Sequence, residues 1–227
     1  MIVLALDTAG IDCSVALYDA TADKILSVQT DMIGKGHAEK LMAQIEAALA
    51  EAGITLQQVN RVAVTIGPGS FTGIRVGVAA ARGFALSLGI EAVGITTLET
   101  MAAHQLASSA GRPVIAAMDA KRGEIYAQPF GPDGSPLEEA QALSPEAVTA
   151  LATHHSATIF GTGAVAIAAA AAGEVSEPGI KIVPDRFDIA TVAKLGAAKP
   201  FGSAKPKPLY LRGPDAKPQT GFALARS

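Results

Sequence analysis

The order of its apolar segments is what most restricts the fold of this chain. Residues 2–6, 13–17 and 25–28 read as three strands in succession, with turns at 9–12 and 19–23 between them. A helix over 37–52 follows, its stripe of Leu41, Met42, Ile45 and Leu49 stopped by Gly53. Then come a buried strand at 61–66, a helix at 72–88 and a strand at 91–95. A meander joined to strand–helix alternation requires a mixed sheet with parallel crossovers.

The second half repeats the theme in shorter pieces. After a helix near 98–111, strands at 114–118 and 124–130 flank Asp119-Ala120-Lys121-Arg122-Gly123. The segment 131–136 is a Gly/Pro loop, and Ser144-Pro145-Glu146 opens a helix with Pro at its first position. A strand at 158–160, an Ala-rich helix, a strand near 180–183 and a helix from Asp188 complete it. The expected organisation is two α/β lobes, residues 1–110 and a reduced 111–200, followed by a basic Pro-rich tail at 201–227.

Composition narrows the class. Hydrophobic residues are 49% and charged residues 17% of 227, which excludes a disordered chain. With 4% aromatics and no Trp, the core must be aliphatic. The longest apolar run, 164–172, is far below the ~20 residues that span a bilayer. The N-terminus lacks a basic region before its apolar run, and the lone Cys13 excludes an internal disulfide framework, so a soluble cytoplasmic protein is expected. The net charge is -3. Residues 1–198 are acidic, which argues against autonomous nucleic-acid binding, whereas 199–227 holds six Lys/Arg against Asp215. That tail either contacts an acidic partner or phosphate backbone, or is simply solvated.

The strongest local motif is Gly67-Pro68-Gly69-Ser70-Phe71-Thr72-Gly73-Ile74-Arg75-Val76-Gly77, leaving a buried strand for a helix. Such a turn can cradle a phosphate on backbone N–H groups. It lacks the Gly-Lys-Ser/Thr of a P-loop, and its glycine spacing is one residue too long for a dinucleotide fingerprint. Asp7-Thr8-Ala9-Gly10 ends the first strand, where an acid and a small hydroxyl residue can hold a metal-bound phosphate. Asp7, Thr8, Gly67, Gly69 and Ser70 are therefore the candidate phosphate-binding set. Gly73, Gly77, Ala81 and Ala85 recur every four residues. Helix-interior glycines cost roughly 1 kcal/mol each, so this small-residue stripe must serve either close packing on the sheet or a subunit interface. No His-x-x-His or His-x-x-x-His pair occurs among His37, His104, His154 and His155, so no metal site is expected. Cys13 lies inside an apolar strand, where a thiolate is disfavoured. No catalytic set emerges.

Residues 1–9, His37-Ala38-Glu39-Lys40-Leu41, the Gly67–Gly77 block, Asp119 to Tyr126 and Pro208-Leu209-Tyr210-Leu211-Arg212 resemble the TsaB (YeaZ) family in order along nearly the whole chain. Ala9 stands where that family usually has Ser. The resemblance implies an actin/Hsp70-like (ASKHA) α/β fold with two RNase-H-like lobes, mixed sheets flanked by helices, the second lobe reduced. It implies a non-catalytic subunit for N6-threonylcarbamoyladenosine formation beside the anticodon of ANN-decoding tRNAs. In that family the catalytic paralogue TsaD does the transfer, TsaE is an ATPase partner, and tRNA is met through the complex. No cofactor is implied for this subunit. The alternative is a nucleotide-binding phosphotransferase or ATPase of the same fold. The helices at 37–52 and 72–88 are then expected to lie side by side and outward. His37, Leu41, Ile45, Leu49, Gly73, Arg75, Gly77, Ala81 and Ala85 are the expected partner interface, also driving a homodimer in isolation. The loop 119–122 is expected to join and orient the lobes, and the tail to dock as far as Arg212 with disorder beyond Ala216.

Overall fold

The structure, a computed structural model, describes residues 1–107, 109–170, 179–181 and 188–212. Among the described residues, ten strands form two five-stranded sheets. In the first, β1 (Ile2–Asp7), β2 (Asp12–Asp19) and β3 (Lys24–Met32) form the antiparallel meander. β4 (Arg61–Thr65) and β5 (Glu91–Ile95) add on the other side of β1 in parallel, giving the order β3-β2-β1-β4-β5.

The second sheet contains β6 (Val114–Asp119), β7 (Ile125–Phe130), β8 (Gln141–Leu143), β9 (Thr158–Phe160) and β10 (Ile180–Lys181). Its order, β8-β7-β6-β9-β10, is the same five-strand topology again, built from shorter outer strands. The two lobes are thus a structural repeat, each RNase-H-like. β8 is absent from the sequence reading because Gln141-Ala142-Leu143 has no β-branched or aromatic residue, unlike the equally short Thr158-Ile159-Phe160 of β9. The strand expected at 180–183 is seen at Ile180–Lys181, and its last two residues lie outside the described ones.

Alternation along β1 builds two core layers on one sheet. Leu4 and Leu6 face α1 (His37–Ala52) and α2 (Phe71–Leu88), joined by Val15, Leu17, Val62 and Val64. Val3 and Ala5, with Ala16, Ala63 and Val93, face the opposite side. α1 has the bounds expected from its apolar stripe, with Gly53 at φ 66 as the left-handed stop. α2 is long and apolar enough to cross a membrane by length and composition, yet Ile74, Val78 and Ala81 pack into the core of the first lobe.

The boundary expected at residue 110 does not describe how two helices pack. α3 (Thr97–Leu106) leaves the first sheet and packs Leu98, Met101 and Ala102 against Val114, Ala116, Phe130 and Phe160 of the second. Conversely, α6 (Ile189–Ala198) returns to the first sheet and packs Ile189, Val192 and Ala193 on Val3, Ala5 and Ala63. Size matching explains the exchange. A Cβ on Gly196 would sit 2.3 Å from the Ala63 Cβ, so α6 needs the small-residue face that Ala5, Ala16 and Ala63 provide. α3 and α6 touch each other between the sheets, and Lys199 pairs with Glu99 at 2.6 Å across that seam. α4 (Pro145–His155) and α5 (Gly163–Ala170) cover the outer face of the second sheet.

One buried charge fixes α6. Arg61, fully buried on β4, donates through Nη1 to the carbonyls of Gly196, Ala197 and Lys199 and through Nη2 to Glu91 at 2.8 Å. A guanidinium fork on the last carbonyls satisfies acceptors that a helix leaves open and opposes the negative end of its dipole.

Candidate functional site

Three segments far apart in sequence line one cleft of about 1120 Å³ between the lobes: Pro68–Arg75, Ala120–Tyr126 and Leu209–Arg212. The C-terminal segment runs across both lobes. Leu209 N donates to Ile66 O at 2.8 Å, the Tyr210 hydroxyl accepts from Arg75 Nε at 2.8 Å, and Arg212 donates to Ala120 O at 3.0 Å and pairs with Glu124. It is docked as far as Arg212, as expected, while residues 213–227, including those beyond Ala216, lie outside the described ones.

Aromatic rings and cations share this cleft. The Arg75 guanidinium lies 3.7 Å over the Phe71 ring, Phe71 and Tyr210 have centroids 5.3 Å apart, and Arg212 lies 5.9 Å over Tyr126. Lys121 (φ 63), Arg122 (φ 60) and Gly123 (φ 78) are three successive left-handed residues. For the two non-glycines that costs on the order of 1 kcal/mol each. It is sustained by Lys121 N donating to Asp119 Oδ1, by Ala120 N donating to Glu124 O, and by Arg212 on the Ala120 carbonyl. The Lys121 ammonium, 2.7 Å from Asp119, holds that carboxyl below its ordinary range. The loop 119–122 therefore faces the cleft and is tied through Arg212 to the segment that crosses it.

The expected phosphate set is brought together but closed upon itself. Ser70 N donates to Ala9 O at 2.7 Å, Thr8 Oγ1 to Gly73 O at 2.7 Å, Ala9 N to Asp7 Oδ1 at 2.9 Å, and Gly73 N to the Ser70 hydroxyl at 3.2 Å. A Cβ on Gly69 would meet Ala9 O at 2.4 Å, and one on Gly73 would meet Thr8 O at 1.9 Å. Glycine is required here for contact of one turn with the other. Gly67, at φ 100, has the Ile74 side chain against it. Asp7 is buried, and desolvation pushes its carboxyl up despite the Ala9 N–H. Ser70 N, Ala9 N and the Thr8 hydroxyl thus have their partners within the chain rather than pointing at an open anion site.

Residues 27–183 match the family described as TsaD, tRNA N6-adenosine threonylcarbamoyltransferase. The Escherichia coli (strain K12) tRNA threonylcarbamoyladenosine biosynthesis protein TsaB is 35% identical over 152 residues, 65% of this chain and 64% of that protein. The solved structure of YeaZ from Pseudomonas aeruginosa aligns with a TM-score of 0.75 at 25% identity, covering 92% of this chain and 99% of that one. This chain belongs to the TsaB (YeaZ) family. The ROK hexokinase of Thermus thermophilus, at a TM-score of 0.51 and 15% identity, shares the fold alone, which is actin-like with two RNase-H-like lobes. The chain spans less than two thirds of the length of the first curated relatives it matches.

Three of the stretches in which the sequence resembles the TsaB family, at 67–77, 119–126 and 208–212, line the cleft, whereas those at 1–9 and 37–41 do not; the residues expected to form the partner surface are mostly elsewhere. Leu41, Ile45, Gly73, Gly77 and Ala81 are buried within the chain, and Leu49 and Ala85 are half-buried. His37 is buried with Nε2 3.2 Å from Asp12 O. The stripe faces inward because Gly77 admits Thr8 Oγ1 and Val64 at distances where a Cβ has no room, so the internal-packing alternative holds. Arg75 is exposed, but in the cleft. The outward residues of the two helices instead include Met42 and Glu46 on α1 and Ala79, Arg82, Gly83 and Leu86 on α2. A 3.6-residue period locates an apolar stripe but not which neighbour it faces.

The Cys13 thiol, pushed up to about 11 by burial, is no nucleophile. One grouping was missed from sequence: Glu138, His154 and His155 offer donor atoms within 4.8 Å of one another. A search for helical His spacing overlooks adjacent histidines. Their position at the end of a helix was the signal available.

Proposed function

We propose that this chain is a non-catalytic subunit in tRNA N6-threonylcarbamoyladenosine formation next to the anticodon of ANN-decoding tRNAs, and that it acts by binding and activating a TsaD-like catalytic paralogue. The observation that carries this reading is the closure of the first-lobe turns, where Ser70 N, Ala9 N and the Thr8 hydroxyl are bonded within the chain. Family membership supplies the pathway: the named relative is a tRNA threonylcarbamoyladenosine biosynthesis protein, and the matching family is described as a threonylcarbamoyltransferase. The partner meets the outward residues of α1 and α2, with Leu86, 86% exposed, and Met42, 43% exposed, as apolar anchors. A TsaE-like ATPase completes the complex, tRNA is met through it, the subunit works in the cytoplasm without a cofactor of its own, and the same helices pair two copies when it is alone.

Reconstitution tests this. A mixture of TsaD-like and TsaE-like proteins, ATP, threonine, bicarbonate, the enzyme that makes threonylcarbamoyladenylate and substrate tRNA is assayed with and without the chain. Modification is expected only when the chain is present, and undiminished modification without it overturns the reading.

A nucleotide-dependent phosphotransferase is the second reading, favoured by the volume of the cleft and by Arg75, Phe71 and Tyr210 within it. Calorimetry of the chain with Mg-ATP separates the two, because binding with turnover belongs only to the phosphotransferase.

A further inference from the structure

On the second lobe, away from the cleft, two segments bring three metal-type donors together. His154 and His155 are the last residues of α4, and Glu138 lies in the connection between β7 and β8. His155 Nε2 is 2.7 Å from Glu138 Oε1, and the two imidazoles meet edge to face with centroids 4.7 Å apart. All three donor atoms fall within 4.8 Å of one another.

We propose that Glu138, His154 and His155 form a zinc-binding site, with a fourth position open to water or an external ligand. Two imidazoles and a carboxylate are a donor set suited to zinc, which takes nitrogen and oxygen at ~2.0–2.2 Å in a tetrahedron. Ligands around such an ion stand roughly 3.3 Å apart, so modest side-chain rotation converts the present grouping into a coordination shell. The ion enters between His155 and Glu138, taking the place of their 2.7 Å contact, and the spread of 4.8 Å closes onto it.

The surroundings favour a cation. The site sits at the C-terminal end of an 11-residue helix, where the dipole is negative. The backbone of Glu138 is anchored, because the buried Gln128 donates through Nε2 to its carbonyl at 3.0 Å. On the helix side, Val148 and Ala152 are fully buried and hold α4 in place. The His154 side chain is exposed, leaving one flank open to solvent. A bound ion would therefore clip the β7–β8 connection to the end of α4.

The test titrates the full, untagged chain with Co²⁺, reads the visible absorption of tetrahedral cobalt, and then displaces it with Zn²⁺. Wild type is expected to give a single saturable equivalent that zinc displaces. His154→Gln keeps the His155–Glu138 contact but removes one donor, and should weaken binding by at least the ~10–100-fold typical of losing a supporting residue. His104→Gln, a histidine on α3, should bind as wild type does. Wild type without saturable binding, or His154→Gln binding as tightly as wild type, overturns the proposal. Because His154 is exposed, circular dichroism should show the variant folded, so its loss of binding reports the site.

Discussion

Asp7 shows what a residue's position adds to its type. Its place at the end of the first strand suggests a phosphate or metal ligand. Burial instead raises its carboxyl above the ordinary range, with desolvation outweighing the Ala9 N–H. A carboxyl raised in the folded state favours folding when protonated. That contribution is complete below the unfolded value of about 3.9 and is lost as pH rises through the folded value. At neutral pH its charge is therefore a cost to the fold. Asp7→Asn keeps an oxygen for the Ala9 N–H and removes the charge. The melting temperature of the variant should equal or exceed that of wild type at pH 7, and should fall less on going from about pH 4 to neutrality. A lower melting temperature at pH 7 would show that the ionised carboxylate is stabilising. No pattern in the sequence reports desolvation, which is why Asp7 and Thr8 were legible as a motif but not as a closed one.

At the scale of an element, α2 carries three glycines whose roles differ. Gly73 lies where a Cβ would be 1.9 Å from Thr8 O, a backbone atom that cannot swing away, whereas Gly83 is exposed with nothing within 4 Å. Helix propensity favours Ala over Gly by about 1 kcal/mol at both positions. At Gly83 nothing opposes it, so Gly83→Ala should stabilise by about 1 kcal/mol. At Gly73 the collision outweighs it, and Gly73→Ala should destabilise by about 1–3 kcal/mol, as overpacking does. Urea unfolding of both variants gives the two signs, and a stabilised Gly73→Ala would contradict the packing of α2 on Thr8. The four-residue spacing of the stripe was legible in sequence. Its direction was not, because a small-residue stripe suits a strand turn and a partner helix equally. The C-terminal end of α1 was legible for a local reason, since the left-handed Gly53 stops that helix within the chain itself.

Over the whole molecule, the order of strands and helices was legible and their partition between lobes was not. α3 and α6 each pack on the sheet of the other half, set by the volumes of Phe130 and Phe160 on one face and of Ala5, Ala16 and Ala63 on the other. The cleft follows from the same exchange: it is bordered by both lobes and crossed by Leu209–Arg212, whose partners Ile66, Arg75, Ala120 and Glu124 come from both halves. Separate motifs were visible along the chain, but their meeting at one place depends on long-range contacts such as Arg212 with Ala120, 92 residues apart. In the proposed function, such a molecule acts through its outer helices and not through the first-lobe turns. The most direct measurement is tRNA threonylcarbamoylation by the reconstituted complex containing either Asp7→Asn or Leu86→Glu, each first shown to be folded. Asp7→Asn should support modification at the wild-type rate, whereas Leu86→Glu should lose it together with co-purification of the TsaD-like partner. Lost modification with Asp7→Asn in an intact complex, or full modification with Leu86→Glu, would contradict the account.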